Sequence, residues 1–112
     1  MTRTADTVAR VRDLNDAFRK TFAGGRVLMT AGVNALPETD KATVLEKVRT
    51  FDNFNRDNDP HGEHDFVDIE HAGETYFGKL DYYAPDMDGG SEDPADPTKT
   101  VRVLTIMRAD EY

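Results

Sequence analysis

A chain of 112 residues with a net charge of −8 and no cysteine fits one domain. It excludes disulfides, thiolate metal ligands and a cysteine nucleophile. Hydrophobic residues make up 38% and charged residues 32%, the balance of a globular protein with a highly charged surface, and no run reaches the roughly 18 apolar residues of a membrane helix.

Residues 5–22 read as an amphipathic helix, because Val8, Val11, Leu14, Phe18 and Phe22 recur at three- and four-residue steps. Gly24-Gly25 stops it. The short apolar run Val27–Thr30 reads as a strand, and a turn around Gly32–Leu36 leads to Pro37, a good first-turn residue. A second helix covers about 38–52, with Val44, Leu45, Val48, Phe51 and Phe54 toward the core. Glu38 and Asp40 suit the positive end of its dipole.

Beyond a polar segment the period changes to two. Phe66–Glu70 and Thr75–Tyr83 form a hairpin about His71-Ala72-Gly73-Glu74. Tyr76, Gly78, Leu80 and Tyr82 share one face of the second strand, and Phe77, Lys79, Asp81 and Tyr83 the other. One aromatic set is core; the other is a contact surface if that sheet face is bare. A long loop, Ala84–Thr98, precedes the strand Thr100–Arg108. The expected fold class is α+β: a two-layer sandwich with a mostly antiparallel four-stranded sheet and two helices on one face, in the order α-β-α-β-β-β. It forms a single domain over 1–112, with 1–25 as its N-terminal helix and 26–112 as its core.

Charge is unevenly placed. Residues 1–35 carry six basic and three acidic side chains, whereas 52–96 hold fourteen acids against only Arg56 and Lys79. That field repels nucleic-acid phosphates and favours basic partners or cations. Asp86, Asp88, Glu92, Asp93 and Asp96 in the long loop, with Tyr82 and Tyr83 beside it, are the candidate interaction residues. A weaker reading places regulatory DNA binding on Arg3, Arg10, Arg12, Arg19, Lys20 and Arg26, which are partly the polar face of the first helix. The start MTRTADTVAR lacks the apolar core of a signal peptide, so a cytoplasmic location is expected.

The densest ligand chemistry runs from Asp57 to Phe66, DNDPHGEHDF. Asp57, Asp59, His61, Gly62, Asp65 and Asp68 overlap a calcium-loop template, although His61 and Pro60 fit it poorly and no helix follows. A divalent transition metal is the other option, on Asp59, His61, Glu63, His64 and Asp65, with His71 across the hairpin and Asp81 behind. The competing reading is a tight polar turn in which Asp and Asn cap and Gly62 turns the chain. His64 and Asp81 would form an acid/base pair if their strands paired. No nucleophile elbow or phosphate loop is present: Ser91 sits in GGSED, and no Lys-Ser/Thr follows Gly24-Gly25.

The segments FDNFNRDNDPHGEHDF (51–66), KLDYY (79–83), DPADP (93–97) and RVLTIMRADEY (102–112) resemble the bacterial domain of unknown function 3768 family over about residues 26–112. The resemblance implies a proteobacterial protein, often encoded on plasmids and other mobile elements, and brings no activity, cofactor or catalytic residue. Gly78 stands where that pattern leads one to expect a bulkier residue.

Two functional expectations follow. One is a non-enzymatic acidic interaction module, a mobile-element-encoded inhibitor (anti-defence, for example anti-CRISPR-like) that imitates a nucleic-acid backbone. It would occupy a basic nucleic-acid-binding defence or DNA-handling protein, with no cofactor, no direct nucleic-acid or membrane contact, and room for a homo-oligomer. The alternative is a small metal-binding domain or metal-dependent enzyme centred on 57–68.

Overall fold

Thr4 opens the first helix by accepting a hydrogen bond from the Thr7 amide, which satisfies one of the orphan donors of a helix start. The computed structural model describes residues 4–112; Arg3 lies outside them. Helix α1 (Ala5–Thr21) places Asp6 in its first turn and Arg19 and Lys20 in its last, matching the dipole at both ends. Its left-handed cap is Phe22, at φ 60°, two residues before the glycine pair. Gly25 serves another purpose: a Cβ there would meet the Arg102 carbonyl oxygen at 2.5 Å and the Phe18 ring at 2.8 Å.

Strand β1 (Gly25–Met29) follows, then a short helix α2 (Ala31–Asn34) and helix α3 (Glu38–Thr50). The segment expected as a turn around Gly32–Leu36 thus contains a third helix, one turn long and too short to show a period. Strands β2 (Phe66–His71) and β3 (Glu74–Tyr83) form a hairpin whose two turn residues, Ala72 and Gly73, both have positive φ. That conformation matches the right-handed strand twist. Strand β4 (Val101–Arg108) completes the sheet.

The strand order is β1-β4-β3-β2. β2 and β3 pair antiparallel, as do β3 and β4, but β1 runs parallel to β4. The sheet is therefore mixed and not mostly antiparallel. Side-chain alternation reports which face a residue occupies and carries no information on strand direction, so the parallel edge had no signature in the sequence.

All three helices cover one face. Phe18, Val33, Val44 and Val48 from the helices pack with Val67, Ile69, Tyr76, Leu80, Leu104 and Ile106 from the sheet. Gly78 lies beneath α3, where a Cβ would come within 2.8 Å of Val67 Cγ2 and 3.2 Å of Val48 Cγ1. A bulkier residue, as the family pattern suggested, would displace the helix; glycine is what this packing requires. Among the described residues no α-helix covers the opposite face, which carries Phe77, Lys79, Asp81 and Tyr83 of β3 and Val101, Val103, Thr105 and Met107 of β4; there the Tyr112 ring packs on Phe77 and lies beside Lys79.

Candidate functional site

The polar segment after α3 is a chain of side-chain caps. Asn55 Oδ1 accepts from the amides of Asp57 and Asn58, and Asn58 Oδ1 accepts from the Asn55 amide. Asp59 Oδ1 then accepts from the His64 amide at 3.1 Å, across a turn in which Gly62 has φ 72° and His64 φ 55°. These bonds replace the backbone ladder that Pro60 and the positive φ values forbid.

His64 is held on every side. Its Nδ1 lies 2.9 Å from Asp16 Oδ1, its Nε2 lies 3.6 Å from Asp59 Oδ2, and its ring stacks on Phe54 at 3.7 Å between centroids. Asp16 also accepts from Arg19 Nη2 at 3.2 Å. Arg19 is 1% exposed, and its Nη1 donates to the carbonyls of Val48 and Arg49 at the end of α3. One buried guanidinium thus ties together α1, α3 and the polar segment.

A second network lies beside the first. Asn15, fully buried, donates to the Glu63 carbonyl at 3.0 Å and to the Tyr82 hydroxyl at 2.8 Å. It accepts from Arg102 Nε at 2.8 Å, and Tyr82 in turn donates to Glu63 Oε1 at 3.1 Å. The Arg102 guanidinium sits over the Tyr82 ring and donates to the Pro94 carbonyl, which anchors the long loop. Buried polar groups satisfied to this degree fix a single arrangement of the elements they join.

This geometry redistributes the residues expected to hold a metal. Asp59 and Glu63 are buried and turned to the His64 amide and the Tyr82 hydroxyl, His61 is exposed, and the Asp65 carbonyl accepts from the Leu80 amide in the sheet. Among the described residues no three His, Asp or Glu side chains are grouped as ligands. The expected His64–Asp81 pair does not form: Asp81 lies on the helix-free face, 3.5 Å from Lys79, and the partner of His64 is Asp16. His71 pairs with Asp40 at 2.8 Å. Arg19, counted among surface cations of a DNA-binding face, is interior.

The long loop is pinned in place. Tyr83 and Gly90 form an isolated bridge, and the Ser91 amide donates to the Tyr82 carbonyl. Ser91 Oγ donates to the Lys99 carbonyl, and Thr100 Oγ1 donates to the Asp93 carbonyl. Its acids divide into two groups. Asp93 accepts from the Ala95 amide, and Asp96 caps the 3₁₀ turn Pro97–Lys99. Hydrogen bonds from the Thr98 hydroxyl and amide hold the Asp96 carboxyl below its ordinary value. Asp86, Asp88 and Glu92 are exposed; Glu92 reaches Lys99 at 3.4 Å, while Asp86 and Asp88 form no ion pair among the described residues. Of the two tyrosines expected beside these acids, Tyr82 belongs to the buried network and Tyr83 to the helix-free face.

Asn15, Asp16 and Arg102 were not singled out from the sequence, and Arg19 was read only as a surface cation. A signal existed for two of them. Arg102 falls on the same strand face as Leu104 and Ile106, and Asn15 lies four residues after the buried Val11.

No helix of the described residues is long and apolar enough to cross a membrane. Neither curated proteins nor solved structures give a match. Residues 29–111 match the family described as protein of unknown function (DUF3768), and the chain belongs to that family.

Proposed function

We propose that the protein is a non-enzymatic interaction module whose acidic 84–98 loop engages a basic protein. The observation that carries this reading is the pinning of the loop. Hydrogen bonds at Ser91, Thr100 and Pro94 fix a segment that holds Asp86, Asp88 and Glu92 at the surface. Carboxylates already held in place lose little conformational entropy on binding, and their sign steers a cationic partner at long range. Fourteen acids against two cations over 52–96 extend that field. Imitation of a phosphate backbone is the mode this charge suits, and a nucleic-acid-binding defence or DNA-handling protein is the partner class. Such an inhibitor would be cytoplasmic, as its target is.

Asp93 and Asp96 cap turns, so the informative variant leaves them intact. Asp86→Asn, Asp88→Asn and Glu92→Gln together remove three charges and keep hydrogen-bonding shape. Capture from a bacterial lysate at low salt with wild type and variant should give a basic protein retained by the first and lost from the second. Equal retention would refute the reading.

A further inference from the structure

We infer that Asp88 and Gly89 form a site of spontaneous backbone modification, at which the aspartate closes onto the next amide and reopens as isoaspartate. The chemistry needs a carboxyl carbon, an uncommitted amide nitrogen on the following residue, and room around them. Asp88-Gly89 is the only place in the chain where an aspartate or asparagine precedes glycine, whose missing side chain leaves the nitrogen unshielded. Both residues are exposed in the long loop, and nothing lies within 4 Å of where a Cβ on Gly89 would sit. Among the described residues the Asp88 carboxylate has no ion pair and the Gly89 N–H has no acceptor. The bonds of the loop tip use other groups: the Asp88 amide donates to Asp86 Oδ1, the Met87 amide to the Ala84 carbonyl, and the Ala84 amide to the Gly89 carbonyl. Other aspartates fall short in identifiable ways. Asp59, Asp93 and Asp96 precede proline, which has no N–H to give. The amides after Asp16 and Asp40 lie inside α1 and α3, and those after Asp68 and Asp81 belong to strands.

The Gly89 nitrogen gives up its proton and bonds to Asp88 Cγ, and a carboxyl oxygen leaves as water, which closes a succinimide. Water then adds at either ring carbonyl. Opening at Cγ returns aspartate. Opening at the Asp88 main-chain carbonyl leaves the chain running through the side-chain carbon, with the new carboxylate attached directly to Cα. Nothing is oxidised or reduced, and the composition of the chain is unchanged. The Ala84–Gly89 hydrogen bond and the Tyr83–Gly90 bridge lie immediately beyond the lengthened link, so the product displaces a charge and loosens the tip that those contacts hold. The inference concerns this covalent step alone and stands whatever the loop engages, so its failure leaves the functional reading untouched.

Ageing the full chain in neutral, heavy-oxygen water and mapping its peptides by electron-transfer fragmentation tests the inference. Isoaspartate carrying the oxygen label should accumulate at residue 88 of the folded protein, at a rate within about tenfold of that in the same chain unfolded by urea. Asp88→Glu, whose longer side chain must close a larger ring, should lose the product while the melting temperature stays unchanged. Protection of the folded chain by more than about tenfold overturns the inference, because the loop would then withhold the amide or the carboxyl. So does labelled isoaspartate that persists in this peptide of the Asp88→Glu variant, or its absence from both the folded and the unfolded wild type.

Discussion

His64 and Asp16 meet at 2.9 Å across 48 residues of sequence, and Asp16 also holds the buried Arg19 at 3.2 Å. The segment with the greatest apparent capacity for ligands is therefore engaged in joining α1 to the remainder of the fold. Asp16→Asn should cost about 1–3 kcal/mol, because it weakens the ion pair of a guanidinium that has no access to water, while two carbonyls still accept from that guanidinium. Urea denaturation of the variant measures this. A double-mutant cycle with His64→Ala should show coupling between the two sites.

Arg102→Ala should loosen the long loop more than the sheet. Arg102 links Asn15 to the Pro94 carbonyl, so its loss removes the tie between loop and interior. Amide exchange at Ser91–Asp96 should accelerate well beyond that of β3, and stability should fall by about 2–4 kcal/mol. Uniform exchange throughout would show that the loop is held otherwise.

Gly78→Ala should destabilise by about 1–3 kcal/mol, since the added methyl meets Val67 at 2.8 Å and Val48 at 3.2 Å. Thermal melting provides the check. A neutral result would mean that α3 moves aside at little cost.

Much of this was legible in the sequence, for identifiable reasons. The stripe Val11–Phe18 and the alternation of β3 and β4 gave helix, strands and faces, because burial imposes periods of 3.6 and 2. The turn at Ala72-Gly73 followed from glycine beside a hairpin. Helix α2 escaped because four residues carry no period, and the parallel pairing of β1 escaped because alternation does not encode direction. The candidate site was half legible. Composition located Asp59, Glu63 and His64, but the residues that engage them, Asp16 and Tyr82, come from a distant helix and strand with no spacing to betray them.

Acid should loosen the contacts of Glu111 near the end of the chain only below the ordinary glutamate range. Glu111 accepts from the Thr30 hydroxyl at 2.7 Å and from the amides of Arg108 and Gly32, and these bonds hold its carboxyl below the ordinary value. A lowered folded-state pKa contributes stability above the unfolded value that is lost as pH falls through the folded one. Chemical shifts of Thr30 and Gly32 should therefore hold steady through the usual glutamate range and move below it. Movement at or above the ordinary glutamate pKa would contradict this.

Divalent metal should leave the melting temperature unchanged, because binding to the folded state alone would raise it and Asp59, Glu63 and His64 already have protein partners. Calorimetric melting with zinc, manganese, calcium or chelator measures it.

Displacement by duplex DNA from an immobilised basic partner tests the functional reading most directly. If anchored carboxylates stand in for phosphates, DNA and added salt should each release the protein, and the charge-neutralised loop should not bind at the outset. Retention in excess DNA, with salt having no effect, would contradict it.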